Sequence, residues 1–317
     1  MAPIPRPRAS TVAAIYKAYE DANEHYDSLG ISVGLAATEC DRSLWYTFRW
    51  ASNQKPIPGR NLSIFRTGDV WEERLVADLE RIGVEVYGQQ DRIRLVGGHV
   101  RGKCDGKGIG LPEAPKTEHL FEFKSSNDKG FKEIVKKGCK VGRPLHFGQV
   151  QLGMHAFGLT RAGYLVVNKN DDERYFERIE YDVDWTLRLL ARLERIINMP
   201  EPPSRISENP EFFGCRFCDH RDICHEGGWS RVSCRSCLHS TPEMHGDAHW
   251  SCARWAKPLS VDEQKAACPA HLTIPALVPG ELVDSDESAE TVTYLLRSGK
   301  TWVDGAANDN REGEDVA

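Results

Sequence analysis

The segment 101-RGKCDG-106 and, beyond it, 119-HLFEFKSS-126 are where the reading of this chain turns. Asp105 stands at the end of a strand-like run among small neighbours, and Glu122 follows seventeen residues later with Lys124 two positions on. Residues i and i+2 of a strand point to one face, so Glu122 and Lys124 project together towards whatever Asp105 faces. Two hard carboxylates suit magnesium or manganese, which takes oxygen ligands and keeps several waters. Such an ion binds a phosphate oxygen and acidifies an attacking water, while Lys124 orients that water or offsets charge on phosphorus. The helix segment 68-GDVWE-72 offers a third carboxylate, Glu72, one turn after Gly68, to complete the site or help a second one. The bland alternative for Glu122 and Lys124 is a solvated strand face.

Working outward, apolar periodicity predicts a first helix from Thr11 to about Asp27. A second runs from about Gly68 to Ile82, with Val70, Trp71, Leu75, Leu79 and Ile82 at helical spacing. The runs 84-VEVYGQQ-90, 92-RIRLVG-97 and 99-HVRGKCDG-106 read as short strands between turn residues. A helix over 146–159 carries Gln149 and Gln151. Next come the hairpin 162-AGYLVVNKN-170 with 174-RYFERIEY-181 and a helix over 184–199, with Asp184 as a cap and Pro200 past its end. Helices flanking a mixed central sheet make an α/β (α+β) core. Between Lys124 and the glutamines, Lys129, Lys132, Lys136, Lys137, Lys140 and Arg143 read as a basic loop that either tracks a nucleic-acid backbone or is simply solvated.

Ten cysteines punctuate the 317 residues. No apolar run approaches the ~18 residues that span a membrane. The beginning, MAPIPRPRAS, has no hydrophobic signal core, so a cytoplasmic protein away from the membrane is expected. A reducing compartment favours thiolate metal ligands over disulfides. The run 214-GCRFCDHRDIC-224 places Cys215, Cys218 and Cys224 within reach of one centre and leaves a ligand missing. Cys40 is the natural fourth, and an all-thiolate shell suits zinc or an iron–sulfur cluster. Alternatively, Cys40 is a buried small hydrophobe and the other three form a zinc knuckle. A second set, Cys234-x2-Cys237, Cys252 and Cys268-x2-His271, predicts a zinc site from the four cysteines, with His271 in reserve and His239, His245 and His249 nearby. Trp250, Arg254 and Trp255 beside it either stack on nucleic acid or form the module's small core. Cys104 and Cys139 read as plain thiols. The net charge is −6, but residues 281–317 hold ten acidic against three basic side chains, so the body is close to neutral and the last dozen residues are expected to be disordered.

Taken in order, Gly68-x3-Glu72, Gly102-x2-Asp105, Glu122-x-Lys124 and Gln149-Val150-Gln151 resemble the PD-(D/E)xK nuclease superfamily, in particular its RecB-like and lambda-exonuclease-like branches. The resemblance implies a restriction-endonuclease-like core in which Glu72, Asp105 and Glu122 bind Mg2+ or Mn2+, Lys124 is catalytic, and Gln151 contacts the site or DNA. Glutamate at 72 matches the lambda-exonuclease-like pattern, where many RecB-like members have histidine. The family's QxxxY element departs here, with His155 in place of tyrosine. One cysteine before this core and three after it are similar to the iron–sulfur nucleases, the AddB-type domains and CRISPR-associated RecB-like exonucleases. That implies a [4Fe-4S] cluster on Cys40, Cys215, Cys218 and Cys224. The resemblance covers about residues 30–226. The domains expected are an N-terminal helix (1–29), the nuclease closed by four cysteines (30–226), a small zinc-binding module (227–280) and an acidic, partly disordered tail (281–317). The activity implied is a metal-dependent DNA exonuclease in recombination, repair or end processing, in a phage or prophage setting, with DNA and a single-strand annealing or other recombination protein as partners. A nicking or structure-specific endonuclease and a non-catalytic DNA-binding protein with structural metals are the rival readings. No GxxxxGK[ST] motif is present, so unwinding by this chain alone is not expected.

Overall fold

Residues 10–24 and 27–305 are described by a computed structural model. The expected disorder of the last dozen residues lies outside them. In chain order the elements are α1 (Ser10–Asp21), β1 (Ile31–Ser32), α2 (Asp41–Phe48), α3 (Gly59–Arg81), β2 (Glu85–Tyr87), β3 (Arg92–Leu95), β4 (Val100–Lys103), β5 (Gly106–Ile109) and β6 (His119–Ser126). They continue with α4 (Asp128–Gly142), α5 (Pro144–Phe157), β7 (Arg161–Asn168), β8 (Arg174–Glu180), α6 (Val183–Asn198), α7 (Phe213–Arg216), β9 (Ser240–Pro242), β10 (Trp250–Cys252), β11 (Lys257–Leu259), α8 (Val261–Ala266), β12 (Gly280–Asp286), β13 (Thr291–Leu296) and β14 (Thr301–Gly305). The chain divides into two units: one takes the segment up to Asp27 with Gln54–Ile93 and Lys103–Val183, the other Ser28–Asn53, Arg94–Gly102 and the chain from Asp184 on. This division cuts across the boundaries at 29/30 and 226/227 read from the sequence.

The first unit is built on a five-stranded sheet ordered β2-β5-β6-β7-β8, parallel between β6 and β7 and antiparallel elsewhere. Strand β6 is central and its two faces differ in chemistry. Phe121 and Phe123 point into an apolar core with Leu75 and Leu79 of α3, Val84, Leu111, Leu165 and Val167. Leu120, Glu122 and Lys124 share the other face, which α5 covers so closely that a Cβ on Gly153 would lie 2.6 Å from Leu120 Cδ2. The sheet is thus held between α3 and the α4–α5 pair, as expected of a mixed sheet flanked by helices.

Two expectations are corrected here. Helix α3 begins at Gly59 rather than near Gly68, because Gly68 sits inside it with open space around its Cα. The basic stretch is a helix, not a loop. Asn127 caps α4 by accepting the Gly130 N–H at 2.8 Å, and Phe131, Ile134 and Cys139 bury one face. Lys132, Lys137, Lys140 and Arg143 are paired with Asp128, Glu133, Asp182 and Glu133 respectively, which neutralises most of the expected basic patch.

In the second unit, α6 buries Leu189, Leu193, Ile196 and Ile197, and its Arg192 and Arg195 both pair with Asp41 at the start of α2. Strand β1 runs parallel to β4. The strands β9, β10 and β11 form a small antiparallel sheet. Trp250 on it is fully buried against the guanidinium of Arg235, so it belongs to the core and is withheld from stacking on nucleic acid. The segment read as an acidic tail folds, as far as Gly305, into the antiparallel sheet β12-β13-β14 around the buried Tyr294. No helix among the described residues is long and apolar enough to cross a membrane.

Candidate active site

Four of the predicted residues meet in the first unit. Strands β5 and β6 part just beyond the Gly106–Phe121 pair, and the Asp105 carboxylate takes over the ladder there by accepting the Phe123 N–H at 2.7 Å. This fixes Asp105 beside the two residues that flank Phe123. Glu122 is only 2% exposed, and the Lys124 ammonium touches its Oε1. That oxygen receives no well-directed hydrogen bond among the described residues. Glu72 reaches the group from α3, and the Gln90 amide donates to its Oε1 at 2.9 Å.

Electrostatics follow from this burial. Loss of water pushes the Glu122 carboxyl up to about 8; Lys124 opposes the rise, and the charges of Asp105 and Glu72 add to it. Asp105 is also raised by burial, against the pull of Lys124 and the Phe123 N–H. Glu72 is raised by burial and by the charge of Asp105. For Lys124, burial disfavours the ammonium, but Glu122, Asp105 and Glu72 together outweigh it and raise its pKa. With Glu122 protonated below about 8, the carboxylates of Asp105 and Glu72 face the one ammonium; these hard oxygen donors suit a divalent cation by chemistry, although as they stand the three side chains are not gathered closely enough to hold one.

The remaining predicted residues lie elsewhere. Gln151 is fully buried, and its amide spans the end of the sheet, donating to Glu180 O and accepting the Asp182 N–H, both at 2.8 Å. Two residues of an α-helix turn through about 200°, so Gln149 leaves α5 on the side opposite to Gln151. His155 meets the Tyr181 hydroxyl at 2.7 Å. Gln90 was not foreseen, because 84-VEVYGQQ-90 reads as one strand. The strand ends at Tyr87, and Gln90 turns with φ 63° while its N–H bonds Cys104 O. The Gly-Gln-Gln-Asp sequence was the available turn signal.

In the second unit, Cys40, Cys215, Cys218 and Cys224 border one pocket with Arg42 and Ser43. Cys40 caps α2, its Sγ accepting the Ser43 N–H at 3.4 Å. The Cys215 thiol is raised by burial and then by Cys224, Cys40 and Cys218. Another pocket is bordered by Cys234, Cys237, Cys252 and Cys268 with His239 and His271, and burial together with the neighbouring thiols lifts Cys234 to about 11. All ten cysteines are free thiols. Even so, no three or more His, Cys, Asp or Glu side chains among the described residues are gathered closely enough to hold a metal as they stand, and the expected zinc-binding module is not shown.

No protein-family model matches the sequence, and no curated protein matches it. Among solved structures the chain is similar to SSO0001, with a TM-score of 0.41, 16% identity and coverage of 68% of this chain and 96% of that one. It is also similar to LHK-Exo in complex with dAMP, with a TM-score of 0.41, 14% identity and coverage of 58% and 90%. The alkaline exonuclease LHK-Exo from Laribacter hongkongensis gives a TM-score of 0.38 at 14% identity, with the same 58% and 90% coverage.

Proposed function

We propose that this chain is a metal-dependent DNA exonuclease of the PD-(D/E)xK type, with Glu72, Asp105 and Glu122 as metal ligands and Lys124 as the catalytic cation. One observation carries the reading: the carboxylates of Glu72 on α3, Asp105 just before β5 and Glu122 on β6 all act on Lys124, whose ammonium touches a Glu122 carboxyl that is only 2% exposed. Magnesium or manganese bound there would polarise the scissile phosphate and acidify the attacking water. The chain's own residues do the rest. Lys124, 26% exposed, stands at the mouth, where it orients the water and offsets charge as it builds on phosphorus. The Phe123 N–H keeps Asp105 from swinging away, and Gln90 holds Glu72 in reach. Phe121 and Phe123 exclude water from below. Gln151 serves this site by fixing α5 to the end of β8.

The four-thiol pocket around Cys40 fits a [4Fe-4S] cluster by its all-sulfur donor set, and the pocket around Cys234, Cys237, Cys252 and Cys268 fits zinc. If loaded with these groups, both pockets would act as staples of the second unit. Recombination, repair or DNA-end processing in the cytoplasm, in a phage or prophage setting beside an annealing protein, is the context this activity suits.

The test takes one anaerobic preparation through metal analysis and DNA digestion. About four irons and one zinc per chain are expected; zinc without iron would remove the cluster. End-labelled linear DNA should shorten from its ends with manganese and survive in EDTA, while circular single strands stay intact. Cutting of the circle would convert the reading to an endonuclease.

A further inference from the structure

Beside the carboxylates lies a pair that the reaction outlined above leaves unused. Tyr164 on β7 stands in register with Glu122 on β6, is fully buried, and meets His146 Nδ1 with its hydroxyl at 2.7 Å. The two rings lie 5.9 Å apart. His146 belongs to α5, on the same sheet face as Glu122 and Lys124, and is half-buried.

The hydrogen-bond inventory fixes its tautomer. Burial, then the charges of Lys124 and Arg143, hold the imidazole down to about 3, so it is neutral and carries one N–H. Burial first, with the charges of Cys139 and Glu122, raises the Tyr164 phenol strongly, so it keeps its proton. His146 Nδ1 is the only partner found for that hydroxyl among the described residues. Were Nδ1 to carry the hydrogen, the phenolic O–H would be left as a buried donor without an acceptor, at a cost of about 1–3 kcal/mol. Tyr164 therefore donates to Nδ1, and the ring hydrogen sits on Nε2.

Resting on the nuclease reading, we propose that His146 is a further substrate-contacting residue of this site: its Nε2–H donates to a non-bridging oxygen of a phosphate in the bound DNA strand, and Tyr164 is the positioning residue that sets the tautomer. A neutral donor there adds a directed hydrogen bond without competing with a metal for the carboxylates. A charged acceptor makes that bond one of the stronger kind.

The test uses the full-length protein and an end-labelled oligonucleotide, with His146→Phe (ring kept, donor lost), His146→Gln (an amide donor kept) and Tyr164→Phe. Wild type should cleave. His146→Phe should lower kcat/KM roughly ten- to hundredfold, with His146→Gln recovering part of it and each variant still folded at the assay temperature. Tyr164→Phe should lower kcat/KM in wild type yet add less than twofold to His146→Phe, since it acts through that ring. In a Lys124→Ala background, where turnover is stopped, fluorescence anisotropy should show the same loss of DNA binding for His146→Phe. Cleavage by His146→Phe within twofold of wild type, or equal impairment of the phenylalanine and glutamine variants, overturns this proposal and leaves the nuclease standing. No cleavage by wild type overturns both.

Discussion

Glu122 concentrates the chemistry of the site in one residue. A carboxylate with 2% of its surface exposed, and one oxygen met only by Lys124, is a destabilising arrangement unless a cation or a proton compensates it. Without metal the proton does so: the folded chain holds it to about pH 8, whereas the unfolded chain releases it near the ordinary value of 4.5. Between those values the folded state binds more protons at this group, so the contribution of Glu122 to stability is full below about 4.5 and is lost as pH rises to about 8. Glu122→Gln removes that titration. Denaturant unfolding in EDTA across this range should show wild type losing stability where the variant does not, and the variant ahead by roughly 1–3 kcal/mol at pH 8. Superimposable profiles would mean that Glu122 is not the dry carboxylate described here. Residue types were the legible part of the site: a strand alternating Phe-Glu-Phe-Lys announces one apolar and one chemical face. Gln90 and Tyr164 were not legible, because both act through tertiary neighbours that no local spacing marks.

At the scale of elements, period-2 and period-3.6 patterns located β6, the β7–β8 hairpin, α5 and α6 to within about two residues, since each buries one face against the sheet. Helix α4 escaped because five lysines and three glycines obscure the spacing of Phe131, Ile134 and Cys139. The glycines have unequal jobs. Gly138 kinks α4 with φ 71° and ψ 173°, a backbone state that side-chain-bearing residues avoid, and an added Cβ would meet Glu177 Oε1 at 3.3 Å. The same carboxylate accepts the Cys139 N–H at 2.7 Å, capping the turn beyond the kink. Gly138→Ala should therefore cost about 1–3 kcal/mol, whereas Gly68→Ala, inside α3 with nothing within 4 Å, should gain about 0.5–1 kcal/mol. Thermal melts of the two variants check this. Equal melting points would contradict the assignment of the kink.

At the scale of the whole chain, the acidic count from residue 281 concealed a sheet, because net charge reports solvation and not backbone pairing; the alternation in 291-TVTYLL-296 was the truer signal. The segment around Cys40 groups with the later cysteines in the second unit, where the four thiols border one pocket. The carboxylates and lysine, in contrast, all fall within the first unit, so cleavage can be tested without disturbing the thiol pockets. The decisive comparison is digestion of end-labelled DNA with manganese by wild type and by Lys124→Ala. Wild type should release nucleotides, and the variant should lose at least about a hundredfold in rate while keeping its fold. Undiminished cleavage by Lys124→Ala would show that the chemistry lies somewhere other than this site.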